Sequence, residues 1–516
     1  MPESNIIEVA LVYPNTYAVG MASLGFRTVY ALLSSRENVS CERAFTKTGP
    51  SQEVSRTLEG QRRLDEFDIV AFSISYENDL PHLVGALSSS GISPFRDERD
   101  PGSPLIIAGG PFVLINPEPL APLVDVLFIG EGEVLLPDFC DVLDAASGAV
   151  DCKDAIINEL KGREGFYVPS DQGASSQAMV KRVYLSDFDK YVWKEEQLVA
   201  PDSHFGDAYL IEVGRGCPRK CRFCAARSIY SPVRYRTIES IDEEIGRIGP
   251  EPNGVGFLGA SLSDYNQLRE VVLEAQASGH SVQTSSLRMD MLSSGLLDIL
   301  RECGVRTITT APEAGSERLR RVLRKDLKEG AILSSAERIG EAGFPQLKLY
   351  FMIGLPGETD RDMVDLAMLI LRIDERIKKA KGRTKITACL SPFVPKPWTP
   401  FQWAAFERSA LLRERMQIVR RLVKGRVKVK ADSTSGAAYQ ALLSRGDHRV
   451  GRALAHSVTE GKSVSSALKD AGLSKAWYLH RERDKDEAFP WDFIDHGIEK
   501  ECLLQEWEKA KREASG

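Results

Sequence analysis

Residues 214–224 read GRGCPRKCRFC and directly follow a mostly apolar run at residues 209–213. Within this stretch Cys217, Cys221 and Cys224 stand at the spacing C-x3-C-x2-C. Three thiolates on one loop can hold three irons of a four-iron cluster, which leaves the fourth iron open to a ligand from solution. An open iron indicates catalysis rather than storage.

A structural zinc ion is the alternative ligand for the same cysteines. Zinc normally takes four protein ligands and is more often bound by two C-x-x-C pairs, although Cys303 or His204 could complete the set. The other six cysteines form no close pair in the sequence, so we expect neither a disulfide framework nor a second cluster. They are Cys41, Cys140, Cys152, Cys303, Cys389 and Cys502.

The length and composition are those of a globular protein with several domains. At about 150 residues per domain, the 516 residues correspond to roughly three domains. The 67 Lys and Arg against 73 Asp and Glu residues give a net charge of -6, which argues against a dedicated nucleic-acid-binding protein. No stretch has the roughly 18 uninterrupted apolar residues of a membrane span. The first residues, MPESN, do not have the pattern of an export signal, so we expect a cytoplasmic protein.

The cysteine run belongs to a series of alternating strands and helices over residues 206–404. We expect strands at residues 209–213, 255–258, 282–285, 307–311, 347–353 and 386–390. Six strand–helix units in about 200 residues favour a partial or complete α/β barrel, here a partial (β/α)6 barrel. Its active residues should then lie at the carboxyl ends of the strands.

An earlier alternating series over residues 1–150 predicts a doubly wound, Rossmann-like parallel sheet. We expect strands at residues 6–13, 69–75, 105–108 and 124–129, each ending in a loop rich in Gly, Pro or Asn. Such loops lie together at the carboxyl edge of the sheet, where ligands bind. Residues 151–205 are expected to be a linker region, with a solvated loop around residues 170–177.

The third region, residues 405–516, is predicted to be α-helical and locally basic. Nine basic side chains crowd its first part: Arg408, Arg413, Arg415, Arg420, Arg421, Lys424, Arg426, Lys428 and Lys430. Such a segment is either a solvated helix face or a surface that binds phosphates.

The cysteine run resembles the signature of the radical S-adenosylmethionine (SAM) enzymes, because it ends the first barrel strand and has an aromatic residue, Phe223, before the last cysteine. The resemblance implies a [4Fe-4S] cluster on Cys217, Cys221 and Cys224, with SAM bound to the open iron and cleaved to a 5'-deoxyadenosyl radical by one electron. It also implies a protein electron donor, such as a flavodoxin or a ferredoxin.

The same resemblance implies SAM contacts at the ends of the second and third barrel strands. Gly259 lies in FLGAS, where backbone groups would hold the methionine amine, although the usual Gly-Gly-Glu is absent. After the third strand come Ser286 and Arg288, and the guanidinium of Arg288 could pair with the SAM carboxylate.

Further contacts are implied after the fourth and fifth strands. Glu313 could accept hydrogen bonds from the ribose hydroxyls, with Arg318 or Arg320 one turn into the next helix. Gly354 and Pro356 lie in GLPGET, where the backbone could approach the adenine.

The N-terminal region resembles the cobalamin-binding domain that is fused to many radical SAM enzymes. The resemblance implies that cobalamin contacts residues at the carboxyl edge of the sheet: Asn15, Tyr17, Gly20, Gly109, Gly110, Pro111, Gly130, Glu131 and Gly132. Some cobalamin proteins carry Asp-x-His-x-x-Gly after the first strand, whereas this chain has NTYAVG at residues 15–20. Because Tyr17 replaces the histidine, this loop offers the cobalt no imidazole.

Taken over nearly the whole chain, the sequence resembles a widespread subfamily of these fused proteins whose reaction is unassigned. The resemblance also rests on two later motifs, SPFVPKPWTPFQW at residues 391–403 and FPWD at residues 489–492. The leading hypothesis is a cobalamin-dependent C-methyltransferase with an unknown substrate and no membrane partner. One alternative is an RNA-modifying enzyme that resembles the methylthiotransferases and has a non-cobalamin N-terminal domain. The other is a non-enzymatic adaptor stabilised by zinc.

Overall fold

A computed structural model describes residues 6–46, 56–146, 152–170, 178–189, 191, 198, 200–249, 252, 254–380 and 382–515. Sixteen of the 55 residues of the expected linker, including residues 171–177 of its predicted loop, lie outside these described residues.

The N-terminal domain alternates strands with helices. Its elements are β1 (Ile7–Tyr13), α1 (Tyr17–Gly20), α2 (Leu24–Ser34), β2 (Val39–Phe45), β3 (Ile69–Ser73), α3 (Leu80–Ser89), β4 (Leu105–Gly109), α4 (Pro111–Ile115), β5 (Val126–Phe128), α5 (Gly132–Ala146), α6 (Cys152–Leu160), β6 (Phe166–Tyr167) and β7 (Val180–Lys181).

Six of these strands form one sheet in the order β2-β1-β3-β4-β5-β6. Strands β1 to β5 are parallel, and only β6 pairs antiparallel. Each face is covered, because Val12 and Phe72 pack into one apolar core whereas Leu11 and Ala71 pack into another. The strand order reverses direction at β1 and β3, so their carboxyl ends form the crevice in which such sheets bind ligands.

The second domain contains the cysteine loop. Its elements are β8 (Ala208–Arg215), α7 (Ala226–Ile229), β9 (Arg234–Tyr235), α8 (Ile238–Ile245), β10 (Gly254–Gly259), α9 (Leu268–Ala277), β11 (Ser281–Thr284), α10 (Ser294–Glu302), β12 (Thr307–Glu313), α11 (Glu317–Val322), α12 (Glu329–Glu341), β13 (Gln346–Ile353), α13 (Asp360–Lys379) and β14 (Lys385–Pro392).

These strands form two sheets, in the orders β11-β10-β8-β9 and β12-β13-β14. The Leu287 N–H, just after β11, donates to the Thr309 carbonyl of β12 at 2.9 Å and so joins the two sheets. Strands β8 and β10–β14 therefore follow one another in chain order as a split barrel. The predicted fold class, a doubly wound sheet followed by a partial barrel and a helical region, is confirmed.

The C-terminal region packs against both preceding domains. Its elements are α14 (Ser409–Leu422), β15 (Lys428–Ala431), α15 (Thr434–Arg445), α16 (His448–Thr459), α17 (Val464–Asp470), α18 (Lys475–Leu479), β16 (Ile494–Asp495) and α19 (Lys500–Ser515). Helix α16 meets the N-terminal domain so closely that a Cβ on Gly451 would lie 1.9 Å from the Pro119 carbonyl oxygen.

The sequence did not predict β2 or β15. Strand β15 pairs in parallel with β14, so part of the expected helical region adds a strand to the barrel. Its side chains alternate between lysine and small or apolar residues, and the charges obscure the strand pattern. None of the helices in the described part of the chain is long and apolar enough to cross a membrane.

Candidate active site

The cysteine loop leaves β8 through a sharp turn at Gly216. This residue has φ +82°, and a Cβ on it would lie 2.7 Å from the Tyr230 carbonyl oxygen. The position therefore requires glycine. The turn leads to Cys217, Cys221 and Cys224, which are unpaired thiols of intermediate exposure.

The donor set fits an iron–sulfur cluster. Burial raises the pKa of the Cys221 and Cys224 thiols, that of Cys224 to about 11, so a bound metal must help to displace their protons. In the described part of the chain, no three His, Cys, Asp or Glu side chains lie close enough together to bind one metal ion. In a four-iron cluster each thiolate binds a different iron, and three cysteines on one loop can provide those ligands.

Arg222 fixes the cysteine loop to the C-terminal region. Its side chain is only 1% exposed, and its guanidinium donates to the Val322 carbonyl at 2.9 Å. It also pairs with Glu506 and Glu513 of α19 at 3.0 and 2.6 Å. The sequence did not identify this role, because the two carboxylates are almost 300 residues away.

Two predicted SAM contacts, Arg288 and Glu313, lie beside this loop, and a third, Phe223, is part of it. The charges of Arg288 and Glu313 act on the Cys221 thiol, as does that of Lys325. Lys325 Nζ donates to Glu313 Oε1 at 3.0 Å and lies 5.9 Å from the centre of the Phe223 ring. The structure therefore brings Phe223, Arg288 and Glu313 together. Sequence reasoning missed Lys325, which lies in the segment after α11.

Glu313 has an unusual backbone conformation. Its φ is +68°, in the left-handed region that residues other than glycine seldom adopt. The strand register shifts between Thr310 and Glu313, which turns the end of β12. Such local strain often accompanies a functional position.

Arg288 is held in place by a neighbouring carboxylate. Its guanidinium donates to Asp290 at 3.1 and 2.8 Å, and its backbone N–H donates to Ser263 Oγ at 2.8 Å. Ser286, another predicted contact, lies two residues before Arg288 and is exposed. Gly259 is the last residue of β10. A carboxylate ligand of Arg288 would compete with Asp290 for the guanidinium.

The remaining predicted SAM residues have other surroundings. Arg320 is buried and donates to the carbonyls of Ala314 and Leu327 at 2.9 and 2.6 Å. Gly354 has φ +90° and donates to Glu358, and the next residues lead to Pro356 in the same turn. No hydrogen bond or ion pair among the described residues joins these three to the cysteine loop.

A cavity of about 390 Å³ lies between the N-terminal sheet and the barrel. Six predicted cobalamin contacts line it: Gly109, Gly110, Pro111, Gly130, Glu131 and Gly132. The other wall comes from the barrel and includes Gly214, Arg215 and Gly216 immediately before the first cysteine, and Gly259. The cavity therefore reaches the cysteine loop itself.

The other three predicted cobalamin residues do not line this cavity. Asn15 donates to Asp79 at 2.8 Å, and the Tyr17 ring packs edge-on against Phe45 at 5.1 Å. Gly20 is buried beneath the same Phe45 ring, where a Cβ would lie only 2.5 Å away. The loop after β1 thus packs towards β2 because of the aromatic contacts that β2 provides.

A buried ionic network lies at the boundary between the cavity and the barrel. Arg215 pairs with Glu131, Glu133 and Glu212 at 2.9, 2.5 and 3.0 Å, and Arg234 pairs with Glu131 at 2.6 Å. Although burial opposes ionisation, the two arginines hold the pKa of Glu131 below its ordinary value. The sequence motif GEGE predicted cobalamin contacts and gave no indication of this network, whose arginines lie about 80 to 100 residues further along the chain.

Two family descriptions match the chain. "Radical SAM proteins, N-terminal" matches residues 25–169, and "Radical SAM superfamily" matches residues 211–370. An uncharacterized protein of Methanocaldococcus jannaschii is 30% identical over 491 residues, which are 93% of this chain and 97% of that protein. The tRNA-2-methylthio-N(6)-dimethylallyladenosine synthase of Chromohalobacter salexigens is 26% identical over 284 residues, which are 49% of this chain and 59% of that enzyme.

Solved structures of OxsB, described as a cobalamin-dependent S-adenosylmethionine radical enzyme, share the fold. The form with aqua-cobalamin bound superposes with a TM-score of 0.50 at 14% identity, over 72% of this chain and 53% of OxsB. This chain thus spans about half of the length of OxsB. Together with the position of the three cysteines, the family matches identify the chain as a radical SAM enzyme, a member of the superfamily that binds a [4Fe-4S] cluster and SAM.

Proposed function

We propose that this enzyme cleaves SAM at a cluster on Cys217, Cys221 and Cys224, binds cobalamin in the N-terminal cavity, and methylates a carbon atom of its substrate. The supporting observation is the wall that the two sites share, because Gly216 lines the cavity and directly precedes Cys217. When bound, the cluster supplies the electron that releases a 5'-deoxyadenosyl radical from SAM, and cobalamin supplies a methyl group.

The side chains beside the cysteine loop would bind and orient SAM. Arg288 would exchange Asp290 for the SAM carboxylate, and the backbone at Gly259 would hold the amine. Glu313 would accept hydrogen bonds from the ribose while Lys325 balances its charge. Ser286, Gly354 and Pro356 remain proposed contacts, and Arg320 would act indirectly through the backbone before α11.

The cavity has the composition expected of a site for a large, flat cofactor. Leu11, Ala71 and Ile107 contribute apolar wall, and the glycines let backbone groups approach a ligand closely. Its described lining contains no histidine, so this wall offers the cobalt no imidazole. A complete corrinoid is larger than the cavity of about 390 Å³, so part of it would extend beyond the cavity. OxsB, with the same fold, binds aqua-cobalamin, which supports the proposal.

A second cavity suggests where the electron donor approaches. It has a volume of about 320 Å³ and is lined by Cys221 and Cys224 together with the basic residues Lys220 and Arg227. Arg324 also lines it but pairs with Glu506 at 2.9 Å. Basic side chains around a redox centre favour an acidic partner. We place the docking of a flavodoxin- or ferredoxin-like donor here.

The test is anaerobic reconstitution with iron, sulfide and hydroxocobalamin, followed by product analysis with SAM. The proposal predicts bound iron and cobalamin, 5'-deoxyadenosine, and S-adenosylhomocysteine once substrate is present. A variant with Cys217, Cys221 and Cys224 changed to Ala should lack the cluster and form none of these products. Formation of 5'-deoxyadenosine alone, in the presence of substrate, would contradict methylation.

RNA modification is the second candidate function. It is favoured by the similarity to the C. salexigens synthase, an enzyme named for its modified tRNA product. In this alternative the N-terminal cavity does not retain cobalamin. Salt-sensitive RNA binding that is lost on charge reversal of Arg420 and Arg421 would favour it, whereas unchanged binding would exclude that surface.

A further inference from the structure

Strands β12 to β15 have one face covered by helices and one face turned to the barrel interior. On β13, Leu347, Leu349 and Phe351 are buried on the covered face. Lys348 and Tyr350 alternate with them and are partly or largely exposed. Since side chains alternate along a strand, these two project from the interior face.

The register of the sheet aligns further side chains across this interior face. One row consists of Thr309, Lys348, Thr387 and Lys428. The next row towards the carboxyl ends contains Tyr350, Cys389 and Lys430. Three lysines from two strands therefore occupy two adjacent rows.

These lysines have no direct ionic partner in the described part of the chain. No ion pair there joins Lys348, Lys428 or Lys430 to a carboxylate. Asp432, which directly follows β15, accepts a hydrogen bond from Ser391 at 2.5 Å, and its charge acts on Cys389 as do those of Lys348 and Lys430. Like charges gathered on one face of a sheet repel one another, so the arrangement favours an anionic ligand.

The structure also separates these lysines from the other basic residues of the same segment. Arg415 pairs with Glu358 at 2.9 Å, and Arg426 pairs with Asp374 at 2.7 Å. Those two arginines therefore stabilise the packing of the helices. Lys428 and Lys430 continue the barrel interior, where a substrate of the proposed radical reaction must bind.

We propose that Lys348, Lys428 and Lys430 bind a phosphate or diphosphate group of the substrate. This inference rests on the proposed function of the barrel. Lysine acts as a point charge towards phosphate, and a phosphate ester carries roughly -1.5 to -2 at neutral pH, which suits several lysines better than a carboxylate does. The lower row, at Lys348, lies five residues, roughly 17 Å, from the carboxyl end of β13, so the phosphate lies well away from the reacting carbon.

The test compares anion binding by the reconstituted full chain and two charge-matched variants. One variant carries Lys348→Gln, Lys428→Gln and Lys430→Gln. The control carries Lys469→Gln, Lys485→Gln and Lys509→Gln, all exposed positions on other elements. Isothermal titration calorimetry uses inorganic pyrophosphate and a short single-stranded RNA as probes, and circular dichroism verifies that each variant is folded.

The proposal predicts that at least one probe binds the wild type, and that its Kd rises roughly tenfold or more in the interior variant but not in the control. Pyrophosphate binding indicates a small phosphorylated substrate, whereas binding of RNA alone indicates a nucleic acid. Absence of binding to the wild type, or equal loss in both variants, overturns the inference. SAM cleavage by the wild type is measured separately. Its absence despite anion binding would contradict the proposed function and leave the phosphate site supported.

Discussion

Arg215, the last residue of the first barrel strand, pairs with Glu131 of the N-terminal domain at 2.9 Å. The same guanidinium pairs with Glu133 and Glu212, so one cation neutralises carboxylates from both domains. Two residues further along the chain is Cys217. An ionic contact between the two domains therefore lies next to the cysteine loop.

Replacing Arg215 by Met should destabilise the protein strongly. Glu131 and Glu133 are almost fully buried and would lose a cationic partner, which typically costs about 3–5 kcal/mol of unfolding free energy. The measurement is urea unfolding of the reconstituted chain. Arg247→Met is the matched control, because Arg247 forms only an exposed pair with Glu243 and should change stability by less than about 1 kcal/mol. Equal effects would contradict the role of the network.

Filling the N-terminal cavity should reduce cobalamin binding without loss of iron. Gly25 lies on α2 and lines the cavity, and a Cβ on it meets no atom closer than 4.0 Å. Gly25→Leu should therefore fold normally while its side chain occupies ligand space. Gly85→Leu is the control on another helix, at a position with nothing within 4 Å of the Cβ. The measurement is bound cobalamin and iron per chain after reconstitution. Unchanged cobalamin in Gly25→Leu would argue against this cavity.

Charge reversal beside the cysteine loop should slow reduction by a protein donor. Lys220 and Arg227 are exposed at the second cavity, so Lys220→Glu with Arg227→Glu should lower the reduction rate by flavodoxin, most clearly at low salt. Reduction by dithionite should change much less, because a small reductant needs no docking surface. The control is Lys469→Glu. If flavodoxin reduces the double variant as fast as the wild type, the donor docks at a different surface.

Acid should destabilise the protein through His496. Burial lowers the pKa of this imidazole from 6.5 to about 3, and its Nε2 bonds to the Leu114 carbonyl at 2.9 Å. Below pH 6.5 the unfolded chain takes up a proton that the folded chain does not, so stability falls by about 1.4 kcal/mol per pH unit until the folded pKa is reached.

Urea unfolding at pH 7.5 and 5.5 tests this expectation. His496→Gln should reduce the loss of stability between these two pH values, whatever its effect at pH 7.5. The control is His280→Gln, which lies outside the buried core. The same pH dependence in wild type and His496→Gln would show that other groups cause the acid sensitivity.

Local sequence signals were sufficient for the cluster loop and for most of the strands. Cys217 to Cys224 lie within eight residues, and residues 9–13 of β1 form an unbroken run of apolar and aromatic side chains. By contrast, Arg222 meets Glu513, and Arg215 meets Glu131, only after distant segments have folded together. Tyr17 does not line the N-terminal cavity, because its ring packs against Phe45 of the unpredicted strand β2.

The most direct test of the central claim is the formation of 5'-deoxyadenosine from SAM under anaerobic conditions with dithionite. The reconstituted wild type should form it, and the variant with Cys217, Cys221 and Cys224 changed to Ala should form none. No 5'-deoxyadenosine from a wild type with its full iron content, or equal amounts from both proteins, would contradict the account.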